Sequence, residues 1–205
     1  MDSGNPGEDA PGSRTKAAWR ARLLAERDAV PAASATRAAE ALARRAADAV
    51  PGDATVCCYV PFGSEPGSLA MLDALRATGA EVLLPIVPDA PGPLDWARYD
   101  GRETLRPGRL AGVLEPAGER IGPDGLGRAS LVFVPALAAD HRGVRLGRGA
   151  GYYDRSLSFA AASARLVAVV RDAELVPELP AEPHDVRMTG ALTPERGLVP
   201  LPFAV

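Results

Sequence analysis

A strand-like apolar run, Leu131-Val132-Phe133-Val134-Pro135, precedes the stretch Arg145-Leu-Gly-Arg-Gly-Ala-Gly-Tyr-Tyr-Asp-Arg155, which opens onto a helix-like segment. A strand, a glycine loop and a helix in that order place the loop where α/β proteins collect their ligands, at the carboxyl edge of a sheet. Glycines at 147, 149 and 151 permit positive φ and let amide N–H groups approach an anion, while Arg145 and Arg148 add charge. The loop matches neither familiar phosphate fingerprint. A Walker A loop ends in Gly-Lys-Ser/Thr, which is missing here, and a dinucleotide loop needs glycine where Tyr152 stands. The residues leave two readings. One is an anion cradle, favoured by the crowding of glycines, arginines, two tyrosines and an aspartate at one junction; the other is a tight turn whose arginines are solvated.

The rest of the chain repeats the strand–helix alternation. Amphipathic spacing predicts helices over Lys16–Asp28 and about Ser34–Val50, the latter stopped by Pro51-Gly52. Thr55–Val60 and Glu81–Val87 read as strands joined through a helix at about Leu69–Thr78, a βαβ unit whose first strand ends at Pro61-Phe-Gly-Ser-Glu65. Leu94–Tyr99 suggests an edge strand or hairpin, and the segment through Gly112–Pro116 reads as irregular. Ser130–Val134, a helix from Tyr152 to about Ala162, and Leu166–Val170 form a second βαβ unit. Glu174–Leu179 reads as a short helix, and His184–Leu192 as a tail with a last strand. Trp96 and Tyr99 suit either a flat-ligand pocket or the core.

With 205 residues, 47% of them apolar, the chain supports one substantial core, expected over residues 16–205 after a disordered tail at 1–15. That tail has no apolar stretch of the kind a signal peptide needs. The net charge of −3 argues against broad binding to nucleic acid or anionic membrane, and no apolar run approaches the ~20 residues of a transmembrane helix, so a soluble, cytoplasmic protein acting on small molecules is expected, and it is read as a monomer. The adjacent cysteines, Cys57 and Cys58, sit in a strand-like run where neighbours point to opposite faces, so they are expected to be reduced.

Leu131-Val-Phe-Val-Pro-Ala-Leu-Ala-Ala-Asp140-His-Arg-Gly143-Val-Arg145 and the glycine stretch through Arg155 together resemble the signature block of the 5-formyltetrahydrofolate cyclo-ligases, also called 5,10-methenyltetrahydrofolate synthetases. Lys16-Ala-Ala-Trp-Arg20, Tyr59-Val60 with Glu65, Glu115-Pro116 and His184-Asp185 recur in the family's order. The resemblance implies a three-layer α/β sandwich around a mostly parallel sheet. It also implies an ATP- and Mg²⁺-dependent closure of 5-formyltetrahydrofolate to 5,10-methenyltetrahydrofolate through a phosphorylated formyl group, with release of ADP and phosphate.

On that resemblance, ATP is held by Lys16, Arg20 and the loop residues Arg145, Leu146, Gly147, Arg148, Gly149, Ala150, Gly151, Tyr152 and Tyr153. The folate is held by Val60, Glu65, Arg148, Gly149, Ala150, Gly151 and Tyr152, with Arg145, Arg148 and Tyr152 acting on the reacting groups. Asp154 is the metal ligand, joined by Asp185, because Thr189 stands where some members place an aspartate. Each role has a plainer counterpart: a solvated basic face for Lys16 and Arg20, a helix cap for Asp154, an exposed loop acid for Glu65 and core packing for Val60. Two other functions stay open, a non-catalytic folate- or nucleotide-binding protein and a sugar-phosphate isomerase-like enzyme.

Overall fold

A computed structural model describes residues 15–183 and 185–203; all of the expected tail except Thr15, together with His184, lies outside the described residues. Helix α1 (Lys16–Asp28) starts where the Thr15 hydroxyl accepts a hydrogen bond from the Ala18 amide at 3.3 Å, satisfying one of the amides a helix start leaves unpaired. Helix α2 (Ala32–Asp48) and helix α3 (Leu69–Ala77) follow the apolar spacing read from the sequence. Between and after them lie β1 (Thr55–Cys57), β2 (Glu81–Ile86) and β3 (Asp95–Arg98). The second half supplies β6 (Leu131–Pro135), β9 (Arg165–Val169), β11 (Gly190–Thr193) and β12 (Gly197–Pro200), numbered so that the smaller strands below keep chain order.

These seven strands form one sheet in the order β12-β11-β9-β6-β1-β2-β3. The five central strands are parallel, and β3 and β12 cap the two edges antiparallel. Both faces are buried, as parallel strands require. Val56, Leu131, Phe133, Val167 and Val169 face the side covered by α2 and α3. Cys57, Val132, Val134, Leu166 and Ala168 face the side covered by short turns carrying Leu126 and Leu157. Cys57 and Cys58 therefore fall on opposite faces, both reduced and buried. A third cluster packs Leu23 of α1 against Leu137, Val144 and Leu146, which fixes α1 beside the glycine loop.

The structure departs from the sequence reading at four places. The segment expected to be irregular contains a hairpin of β4 (Leu105–Pro107) and β5 (Leu114–Pro116), closed by a turn in which the Val113 amide donates to the Leu110 carbonyl at 3.0 Å. The glycine loop does not follow β6 directly, because a hairpin of β7 (Ala138–Asp140) and β8 (Arg145–Leu146) intervenes. Helix α4 (Tyr152–Ser156) stops well before Ala162 and continues only as a 3-10 turn over Leu157–Phe159. Where a helix was expected at Glu174–Leu179, Pro177 disfavours helical geometry at Val176, and β10 (Leu175–Val176) pairs with β7 instead. Trp96 and Tyr99 are core residues, each 1% exposed, and the Tyr99 hydroxyl donates to Asp73 at 2.6 Å.

Candidate active site

Strand order reverses between β1 and β6, since the chain runs outward from β1 to β2 and then returns to the other side. Open α/β sheets bind ligands outside the carboxyl ends of their strands at such a crossover. A cleft of about 910 Å³, including its open mouth, lies there. Val60, Phe62 and Glu65 reach it from the end of β1, Pro135 and Ala136 from β6, and the whole span 147–154 walls one side. The β4–β5 hairpin contributes Leu110, Val113 and Leu114, so the cleft is apolar except where the loop, Arg145, Arg27 and Glu65 enter it.

The loop is presented by a hairpin whose turn is built on one buried carboxylate. Asp140, fully buried, accepts hydrogen bonds from the amides of Arg142 and Val144 at 2.8 Å each and from Leu179 at 3.1 Å. Gly143 has φ +85 in that turn, and a Cβ there would come within 2.5 Å of the Met188 carbonyl, so no other residue fits without moving the backbone. In β8, Arg145 is buried and ties the far side of the loop to the end of β6: it donates to the Pro135 carbonyl at 3.2 Å and to Asp154 Oδ1 at 2.5 Å. The loop between is exposed, and none of the amides at 147–151 meets an acceptor among the described residues. Unpaired amides flanked by guanidinium groups make a site for an anion.

Arg20, from α1, donates to the Gly147 carbonyl at 2.9 Å, and its guanidinium lies where a Cβ on Gly149 would touch it. Lys16, one turn earlier, bonds both oxygens of Asp185 at 3.0 Å and Glu182 at 2.7 Å. Burial draws its ammonium downward, but the two carboxylates outweigh that and hold its pKa above the usual lysine value. Neither Lys16 nor Asp185 lines the cleft, and Asp185 also accepts from the Glu182 amide at 2.7 Å. Thr189 is likewise elsewhere, joining β11 to Leu166. Asp154 does line the cleft, 47% exposed in its side chain, with Oδ2 accepting no hydrogen bond from the described residues.

Glu65 is the cleft's buried acid, its side chain 7% exposed. Burial raises its pKa above the usual carboxylate range, countered by a hydrogen bond from the Phe62 amide and by the charge of Arg148 at 3.4 Å. The Arg148 guanidinium also covers the Phe62 ring, 5.1 Å from its centroid. The Tyr59 hydroxyl donates to the Pro66 carbonyl and so pins the turn that carries Glu65. Arg27, read from the sequence only as one of several basic residues on α1, also lines the cleft. It is 3% exposed, pairs with Glu174 through two hydrogen bonds of 2.7 and 2.8 Å, and donates to the Ala136 carbonyl at 2.6 Å.

Fold and site together define an α/β protein with a ligand cleft at the crossover of a parallel sheet, walled by a glycine–arginine loop. The 5-formyltetrahydrofolate cyclo-ligase family model matches residues 12–194, and the chain belongs to that family. It is 50% identical over 196 residues to the 5-formyltetrahydrofolate cyclo-ligase of Mycolicibacterium smegmatis, covering 92% of this chain and 98% of that one. The Escherichia coli K12 protein of the same name is 30% identical over 144 residues, 69% of this chain and 79% of its own. The fold matches the NMR structure of Aquifex aeolicus 5,10-methenyltetrahydrofolate synthetase with a TM-score of 0.72 at 24% identity, over 93% of this chain and 94% of that one. A Mycoplasma pneumoniae 5,10-methenyltetrahydrofolate synthetase matches with a TM-score of 0.65 at 17% identity, over 85% and 96%. Among the described residues no helix is long and apolar enough to cross a membrane.

Proposed function

We propose that the protein closes 5-formyltetrahydrofolate to 5,10-methenyltetrahydrofolate at the expense of ATP, with the folate in the cleft and the polyphosphate on the glycine loop. The observation that carries this reading is the meeting of unpaired loop amides and arginines with an apolar, acid-ended cleft at one sheet edge. The formyl oxygen attacks the γ-phosphorus, forming an O–P bond as the bond to ADP breaks. N10 then attacks the formyl carbon, the carbon–oxygen bond to phosphate breaks, and the N10 proton is lost as the amidinium forms. No protein nucleophile is required. The chain's task is to hold two reactants in line and to neutralise charge at the transferring group.

Arg148 stands at the boundary of cleft and loop and faces the transferred phosphoryl group, while Arg145 braces the loop and adds charge beneath it. The amides of residues 146–153 line the polyphosphate, Arg20 and Lys16 approach it from α1, and the Tyr152 ring closes the edge of the cleft. Glu65 accepts the amino and ring N–H groups of the pterin, and Val60 contacts its face. Mg²⁺ prefers one or two carboxylates beside phosphate and water, and Asp154, the cleft's only carboxylate besides Glu65 among the described residues, fits that need. Bound there, the ion supplies further charge neutralisation. Asp185 is available only after releasing Lys16, so its contribution is the ordering of that lysine.

Protein mixed with ATP, Mg²⁺ and 5-formyltetrahydrofolate is expected to build up the near-ultraviolet absorbance of the methenyl product, and omission of ATP to abolish it. An ATP-independent reaction on a sugar phosphate would instead favour the isomerase reading, and tight folate binding without turnover the binding-protein reading. Glu65 must be ionised to accept two N–H groups, and its pKa is raised, so kcat/KM for the folate should fall as pH drops through a value above the usual carboxylate range. Glu65→Gln should lower kcat/KM by about tenfold or more and flatten that acidic limb. A limb unchanged in the variant would assign it to another group.

A further inference from the structure

Two arginines hold carbonyls of the glycine loop. Arg20 donates to the Gly147 carbonyl near its start, and Arg155 Nη2 donates to the Ala150 carbonyl near its end at 3.1 Å. Arg155 does not line the cleft, whereas Ala150 and Gly151 do. In a trans peptide the C=O and N–H point to opposite sides, so fixing the Ala150 carbonyl on Arg155 turns the Gly151 N–H away from that side chain. That N–H meets no acceptor among the described residues. Gly151 has φ +72, and a Cβ there would fall 2.7 Å from Arg155 Nη1, so the guanidinium lies directly against this residue.

The guanidinium is itself anchored outside the loop. Its Nε donates to the Gly92 carbonyl at 3.1 Å, and its Cζ lies 5.3 Å from the Tyr152 ring centroid. The next residue, Ser156, is buried; its hydroxyl accepts from the Leu94 amide at 2.8 Å and donates to the Tyr152 carbonyl at 2.7 Å. Two successive residues of α4 thus grip the turn between β2 and β3, where Pro88, Pro91 and Pro93 restrict the backbone. The β4–β5 hairpin holds the same turn, with Arg109 donating to the Pro88 carbonyl at 2.7 Å and Glu115 accepting from the Val87 amide at 3.1 Å. We infer that Arg155 is a positioning residue for nucleotide binding: by bridging the Ala150 and Gly92 carbonyls it keeps the Ala150–Gly151 peptide in the orientation that leaves its N–H to an anion. The assignment rests on the ATP reading of the loop. Without the bridge that peptide is free to rotate, and a carbonyl oxygen facing a phosphate repels it where an amide attracts it.

The test measures calorimetric binding of ATP with Mg²⁺, and separately of 5-formyltetrahydrofolate, to the wild type, Arg155→Ala and Arg155→Lys. The alanine variant should bind ATP about tenfold more weakly and the folate unchanged, with KM for ATP rising in parallel where turnover is measured. Its melting temperature should stay close to the parent's, because the side chain is exposed. Arg155→Lys should regain only part of the ATP affinity, since an ammonium keeps the charge but not the planar fork that reaches two carbonyls at once. Full recovery in the lysine variant would make the charge alone responsible and overturn the bridge. A lower melting temperature with ATP affinity unchanged, or equal losses of affinity for ATP and folate, would reduce Arg155 to a structural contact and also overturn it. Wild-type protein that binds no ATP would overturn the ATP reading and this role together, whereas ATP bound equally by parent and alanine variant would overturn this role alone.

Discussion

Replacing Arg148 by alanine is expected to lower kcat/KM for the formyl substrate by about 10²–10³, equivalent to about 2.7–4 kcal/mol of transition-state stabilisation. The reason is position. Its guanidinium lies 3.4 Å from Glu65 and over the Phe62 ring, at the seam between the apolar cleft and the exposed loop. A phosphoryl group passing from ATP to a folate bound at Glu65 has to cross that seam. Steady-state kinetics would show the loss, with the melting temperature of the variant close to that of the parent, since the side chain is partly exposed. Arg148→Lys should recover only part of the rate, because an ammonium keeps the charge and loses the planar fork. Rates equal to the parent's in the alanine variant would remove Arg148 from the mechanism.

Arg27→Met is expected to cost stability rather than chemistry, by up to about 3–5 kcal/mol, because it removes both guanidinium bonds to Glu174 and leaves that buried carboxylate only the Arg171 amide at 2.8 Å and the Arg171 guanidinium at 4.0 Å. Denaturant unfolding would read the change directly. The double substitution with Glu174→Leu should regain most of it, since removing both partners leaves no orphan charge. The pair lies between α1 and the Ala136 carbonyl just after β6, so it also ties α1 to that strand end. A single variant as stable as the parent would show that the ion pair does not hold α1 in place.

These two arginines mark the limit of what the sequence makes legible. Arg148 is conspicuous because it alternates with glycines after a strand, a local pattern with a local meaning. Arg27 is one basic residue among several on an amphipathic helix, and its partner lies in a different element far along the chain, so no spacing rule joins them. Asp140 falls between, since an aspartate three residues before a glycine is a turn signal, but its third hydrogen bond, from Leu179, is purely tertiary. The central strands are legible where their runs are buried on both faces, whereas their order in the sheet comes only from the structure. The β4–β5 hairpin is not, because strands of three residues ending in proline carry too little periodicity. Trp96 and Tyr99, equally suited to pocket or core by composition, are assigned to the core only by packing. Lys16 pairs with Asp185 and Glu182, a contact between distant parts of the chain that its place on a basic helix face does not reveal.

In the proposed reaction the cleft and loop hold a formyl group and a γ-phosphate in line for direct phosphorylation of the formyl oxygen. Turnover of substrate carrying heavy oxygen in that formyl group tests it most directly. The label is expected to leave in inorganic phosphate, one labelled oxygen for each methenyl product formed. Label recovered in water, with unlabelled phosphate, would contradict it.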